Sequence, residues 1–144
     1  MNSVKHPTSP RDCVCASLRR ATRSVTQLYD NALRPIGLRA TQFNILSTIQ
    51  GGGEATVTQL TRMLLIDQTT LTRSLALLER DGLLKAVPKP DGRLKSVRLT
   101  RKGEQALAKA QPLWAAAQER VISRIGPEVW ETLNNQLELL ARSI

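Results

Sequence analysis

Hydrophobic positions recur at helical spacing along nearly all of this chain, and the pattern departs from that period in one stretch only. From about Asp12 to Leu33, the positions Leu18, Val25, Leu28, Ala32 and Leu33 form one apolar face among basic residues, and Pro35-Ile36-Gly37 stops the pattern. Phe43, Ile45, Leu46 and Ile49 mark a second helix over Thr41 to Ile49, which Gly51-Gly52-Gly53 is expected to break. Val57, Leu60, Met63 and Leu64 give a short third helix within Thr56 to Leu65. Asp67 is an N-cap type placed before Gln68, after which Leu71, Leu75 and Leu78 commit one face of a fourth helix to a core. Asp81-Gly82 ends it, and the period then switches to two. Leu83 to Val87 reads as a strand, Lys89-Pro90-Asp91-Gly92 as a turn, and Lys95 to Leu99 as a returning strand with Val97 and Leu99 on one face. Thr100 suits the cap of a long helix running to about Arg124, and Gly126-Pro127 separates it from a last helix. Residues 1–10, with two prolines among polar residues, predict a flexible N-terminal arm.

Two short helices with so tight a joint, followed by a hairpin, make a mainly α fold with a small β-hairpin wing: a winged helix-turn-helix. Its fourth helix places Gln68, Thr69, Thr70, Thr72, Arg73 and Ser74 near the N-terminus, where short polar groups and a guanidinium reach base edges and phosphates in a major groove. An ordinary solvated helix face would look the same. The closing segment, residues 104–144, carries four basic and five acidic side chains, so it is nearly neutral. Its apolar positions (Leu107, Leu113, Trp114, Val121, Ile122, then Val129, Leu133, Leu137 and Leu140) outnumber what one thin domain needs. Residues 11–36 and 104–144 are therefore expected to form a helical dimerisation region, and residues 37–103 a DNA-binding lobe. The alternative is that the terminal helices fold back on their own domain.

Charge sharpens this reading. Residues 73–103 hold nine Lys or Arg against three acids, a local excess of +6 in a chain of net charge +9. Concentration of charge on one helix and hairpin argues for a polyanion more strongly than total charge does. The wing candidates are Lys89, Asp91, Gly92, Arg93 and Lys95, with Thr58 and Arg62 on the preceding helix as phosphate contacts. Tyr29, Phe43, Trp114 and Trp130 are scattered and offer no row of stacking platforms, which favours duplex DNA over single strands or RNA.

At 144 residues and 41% hydrophobic, the chain can bury one domain core. No long apolar run and no signal-peptide pattern opens it, so a cytoplasmic protein without a membrane partner is expected. An enzyme is not expected. There is no zinc-helix motif, the single histidine, His6, falls in the predicted arm, and the glycine triplet follows a helix and not a strand, so a turn explains it better than phosphate binding. No cofactor is expected. A nonspecific architectural DNA binder is the competing class, since charge alone supplies nonspecific affinity.

Asp91-x-Arg93 followed by Val97-x-Leu99-Thr100-x-x-Gly103, after Leu78-Glu79-x-x-Gly82-Leu83, resembles the MarR family of bacterial transcriptional regulators. Helix order agrees over nearly the whole chain. The resemblance implies a homodimer whose first and last helices form the dimer region, bound to a pseudo-palindromic operator, commonly as a repressor released by a signal. It implies that Gln68 to Ser74 lie in the major groove and that Arg93, held by Asp91, enters the minor groove. A narrow minor groove concentrates negative potential and favours an inserted guanidinium. Asp91 is equally a turn-former in Pro-Asp-Gly.

Cys13 and Cys15 stand at the start of the first helix, beside Arg11, Arg19 and Arg20. Two residues apart on a helix point about 200° from each other, so a bond between them in one chain would be strained, while a bond or metal shared between subunits is feasible. Cys15-x-x-Leu18 with Tyr29 fourteen residues later is similar to the organic-peroxide-sensing branch of that family, where tyrosines hydrogen-bond an N-terminal cysteine; the second tyrosine of that branch is replaced here by Ala40. Three readings of the cysteines stand side by side: incidental thiols, thiol oxidation, and metal ligation with His6. A further option needs no cysteine. Relatives bind small aromatic anions in a cleft between dimer region and DNA-binding lobe, for which Arg23, Tyr29 and Arg39 are the candidates here.

Overall fold

The computed structural model describes residue 9 and residues 12–89 and 95–144 of the chain. His6, Asp91, Gly92, Arg93 and, apart from Ser9, the expected N-terminal arm lie outside the described residues. Among the described residues, six helices and three short strands follow in the order α1 (Val14–Leu33), α2 (Ala40–Gly52), β1 (Ala55–Thr56), α3 (Val57–Leu64), α4 (Gln68–Arg80), β2 (Leu84–Val87), β3 (Ser96–Leu99), α5 (Arg101–Ile125) and α6 (Pro127–Ser143), with one 3-10 turn at Arg34–Ile36. The mainly α winged helix-turn-helix expected from the sequence is the fold observed.

Local chemistry sets most of the boundaries. The Asp67 carboxylate accepts from the Thr70 amide and caps α4, and the Thr100 hydroxyl accepts from the Gly103 amide and caps α5. Thr56 and Gln59 satisfy each other's backbone groups in a capping box at the start of α3. Gly82, at φ +75°, turns the chain out of α4, with the Leu83 amide reaching back to the Leu78 carbonyl. The glycine triplet departs from expectation. Gly51 and Gly52 are helical, and the break falls at Gly53, whose φ is +79°.

The sheet holds one strand more than the hairpin. Its order is β1-β3-β2, all antiparallel, with Ala55 opposite Val97 and Thr56 opposite Ser96 on one side of β3, and Leu84 opposite Leu99 on the other. β1 was not anticipated, because a two-residue strand carries no period. Val97 and Leu99 are buried with Arg98 exposed between them, as the alternation implied.

A single apolar cluster joins Leu33, Phe43, Ile45, Leu46, Ile49, Leu60, Leu71, Leu78, Leu99, Leu107 and Ala110. It runs across both expected domain limits, at 36/37 and at 103/104: the end of α1 and the first third of α5 belong to the same core as the helix-turn-helix. Phe43 and Trp114 stack at 5.6 Å between ring centroids, tying α2 to α5. Pro112 lies inside α5 on its exposed side, and the helix passes through it between buried Ala110 and buried Ala117. Beyond Ala117 no residue of α5 or α6 is buried, and Val129, Leu133 and Leu139 of α6 are 56%, 43% and 61% exposed.

Candidate nucleic-acid interface

α3 and α4 are joined by three residues, Leu65, Ile66 and Asp67, with Leu65 in the left-handed region at φ +51°. Leu60 of α3 and Leu71, Leu75 and Leu78 of α4 are buried, which fixes the rotation of α4 about its axis and turns Gln68, Thr69, Thr70, Thr72 and Arg73 to solvent. Ser74 is half-buried, at the margin of this face. On α3, Thr58 and Arg62 are exposed as well.

Not all of these polar groups are equally available. The Thr70 hydroxyl donates to Asp67 at 2.5 Å, and the Thr72 hydroxyl donates to the Gln68 carbonyl at 2.7 Å. Both hydroxyl protons are committed inside the helix start, so these threonines retain acceptor capacity only. Gln68, Thr69 and Arg73 form no side-chain hydrogen bond with the described residues, and Gln68 and Arg73 carry donors that reach furthest. The Asp67 carboxyl is held below its ordinary value by the Thr70 hydroxyl and amide. A lowered carboxylate contributes stability above the unfolded-state value and loses it only as pH falls through the folded one, so this cap is intact throughout the neutral range.

On the hairpin, Lys85 and Arg98 stand directly opposite each other across β2 and β3, and both are exposed. Like charges in cross-strand register disfavour a sheet. A polyanion lying against both side chains would offset that repulsion. Lys95, at the foot of β3, is exposed. Lys89 is not free: its ammonium pairs with Glu54 at 2.5 Å, a residue 35 positions earlier in the chain that sequence reasoning did not single out. Lys89 holds the Glu54 carboxyl below its ordinary range.

The hairpin is fastened to α4 and α5 by one compact set of hydrogen bonds. The Thr100 amide donates to the Leu83 carbonyl at 3.1 Å, the Thr100 hydroxyl to the Gly82 carbonyl at 2.5 Å, and Lys102 Nζ to the Asp81 carbonyl at 2.8 Å. A Cβ on Gly103 would stand 2.1 Å from the Leu83 carbonyl oxygen, so only glycine fits there.

The candidate sensing residues are dispersed. Cys13 and Cys15 are exposed, free thiols. Cys13 is the N-cap of α1 with an extended backbone, φ −69° and ψ 120°, so it stands outside the helix. The helical geometry expected to keep the two sulfurs apart therefore does not apply. Tyr29 lies fourteen residues along α1 from Cys15, about 21 Å at helical rise, and its hydroxyl donates to Gln118 of α5, so it does not serve Cys15 within one chain. Burial raises the Tyr29 phenol. No cluster of three metal-ligating side chains exists among the described residues. Of the cleft candidates, Arg23 and Arg39 line one cavity of about 750 Å³ together with Asp30 and Arg34, while Tyr29 faces a neighbouring one of about 250 Å³ with Trp114. A separate apolar groove, also about 750 Å³, runs between the ends of α1 and α6 past Val14, Cys15, Leu18, Leu140 and Ile144.

A capped helix with a polar, solvent-facing start, tightly joined to the helix before it and flanked by a basic antiparallel hairpin, defines a winged helix-turn-helix protein. The chain belongs to the MarR family, whose family model matches residues 36–94. It is 30% identical to the multiple antibiotic resistance protein MarR of Salmonella typhimurium over 77% of this chain and 70% of that one. It is 24% identical to the transcriptional repressor IacR of Pseudomonas putida over 88% of this chain and 77% of that one. Among solved structures, the transcriptional regulator MosR of M. tuberculosis in complex with DNA is 40% identical, covers 92% of this chain and 98% of its own, and superposes with a TM-score of 0.80. Among the described residues no helix is long and apolar enough to cross a membrane.

Proposed function

We propose that this protein is a homodimeric, sequence-specific duplex-DNA-binding transcriptional regulator, acting as a repressor that a signal releases from a pseudo-palindromic operator. The observation that carries the reading is the rotation of α4: three buried leucines commit one face to the core, Thr69 and Arg73 stand on the opposite face, and Gln68 and Thr72 are exposed at the helix start, beside a basic hairpin. The DNA complex of MosR and the repressor designation of IacR support it. The exposed apolar side of α6 and the groove at Val14, Leu18, Leu140 and Ile144 support pairing of two copies through α1 and α6. Residues 37–103 with the start of α5 then act as the reading lobe. In this assignment α4 enters the major groove, Thr58 and Arg62 approach phosphates, and Lys95 does so from the wing.

The test is binding to a duplex that the wild-type protein enriches from a random-sequence library. Retention of that duplex against a large excess of random DNA separates a regulator from an architectural binder. Each phosphate neutralised contributes about 0.9 to the log-log salt slope, so Lys95→Gln is expected to flatten the slope by about one unit. An unaltered slope excludes Lys95 as a phosphate ligand.

For the signal, the reading supported best is thiol oxidation. A peroxide oxidises the Cys15 thiol to a sulfenic acid, releasing water or an alcohol, and condensation with the Cys13 thiol forms a disulfide and a second water. Cys13 sits in extended backbone at the start of α1, two residues from Cys15, and both thiols are open to solvent. Peroxide treatment is expected to abolish duplex binding by the wild type and to leave Cys15→Ser unaffected, with recovery on reduction. If both respond alike, or neither responds, the thiols carry no signal. The cavity at Arg23, Arg34 and Arg39 favours a second reading, a small anionic effector bound there, and titration of salicylate-like anions against the DNA complex tests it.

A further inference from the structure

The wing rests on a clamp that spans the whole sheet. β3 lies between β1 and β2, and Val87 and Thr56 both face Ser96 across it. Glu54 immediately precedes β1, and Lys89 follows β2 by two residues. Their ion pair at 2.5 Å therefore bridges the two outer strands over the middle one, at the end of the sheet where Thr56, Ser96 and Val87 stand. Ser96, beneath this end, is only 1% exposed. Both partners of the pair are partly shielded, at 38% and 39% side-chain exposure.

An acidic residue among so many cations is costly to DNA binding if it does nothing else, because it subtracts from the local potential. Among the described residues of this hairpin, Lys85, Lys95 and Arg98 are exposed. Glu54 pairs with Lys89 instead, the cation at the point where the hairpin leaves the sheet.

We propose that Glu54 and Lys89 are a positioning pair for DNA reading: they hold the base of the wing against β1, and so against the helix-turn-helix, setting the pose in which the hairpin cations meet DNA. Lys89 acts through Glu54 and not as a phosphate ligand. This rests on the DNA-binding reading above.

The two views predict opposite signs. Glu54→Gln raises the net charge by one, so a simple charge account predicts tighter binding to every duplex. If the pair positions the wing, Glu54→Gln weakens binding to the enriched duplex by about fivefold while random-duplex binding stays equal or rises. Lys89→Gln weakens the enriched duplex by a similar factor with the salt slope unchanged, where loss of a phosphate ligand would flatten it. The swapped pair, Glu54→Lys with Lys89→Glu, restores most of the affinity. The pair is exposed enough that all variants are expected to fold, and far-ultraviolet circular dichroism and thermal melts check this. Tighter or unchanged binding by Glu54→Gln, a flattened slope for Lys89→Gln, or no recovery in the swap overturns the proposal. Failure of the wild type to enrich any duplex would instead refute the DNA-binding reading itself.

Discussion

Gly103→Ala is expected to lower stability by about 3 kcal/mol, the upper end of ordinary overpacking costs, and to depress the melting temperature by roughly 10 °C at fixed protein concentration. The third residue of α5 meets the backbone of Leu83, not a side chain able to change rotamer: the new Cβ would stand 2.1 Å from the Leu83 carbonyl oxygen and 3.0 Å from its carbon. That carbonyl accepts from the Thr100 amide, and the Thr100 hydroxyl in turn holds Gly82 and caps Gly103. Relief therefore means parting the hairpin from α5 or breaking the cap, and either loosens the wing. Gly51→Ala is the control. It is helical, nothing lies within 4 Å of its added Cβ, and there alanine should stabilise by about 0.5 kcal/mol. A denaturant midpoint for Gly103→Ala equal to the wild type's would show that the junction of hairpin and long helix yields freely.

The same junction shows what the sequence could disclose and what it could not. Thr100-x-x-Gly103 was legible as part of a family pattern, and Thr100 as a cap, because capping is a local event between residues three apart. The reason for Gly103 was not legible, since Leu83 approaches it only once the sheet is built. The α4 core face was legible for the same local reason, through Leu71, Leu75 and Leu78. β1 has two residues and no alternation, so nothing in the order Ala55-Thr56 distinguishes it from the lead-in to α3. Gly51 and Gly52 stayed helical because buried Ile49 and Leu46 anchor α2, and burial outweighs the weak helix preference of glycine. Glu54 escaped notice because its partner lies 35 residues away. Within the candidate site, five of the six residues named on α4 are exposed and Ser74 is half-buried. What the sequence could not apportion among them was hydrogen bonding: Thr70 and Thr72 spend their protons on Asp67 and on the Gln68 carbonyl.

That apportionment predicts which residue discriminates between DNA sequences. Arg73→Ala is expected to weaken binding to the enriched duplex by about thirtyfold, since a guanidinium bidentate to a guanine edge is worth about 1–3 kcal/mol of discrimination. Thr72→Val, nearly the same shape, should cost less than about threefold, because its hydroxyl proton already serves the helix and the lost bond is a modest one. Arg73 stands one turn into α4, exposed and one turn beyond Thr69 on the same face, with no carboxylate pairing it among the described residues. Unlike Lys89, it is therefore free to meet a base without first breaking an intramolecular contact. The two residues separate in a comparison of enriched with random duplex at matched salt. A base-reading arginine loses the preference between them and leaves random binding nearly intact. If Arg73→Ala instead weakens both duplexes equally and flattens the salt slope by about one unit, the guanidinium lies on a phosphate, and discrimination must pass to Gln68 and Thr69.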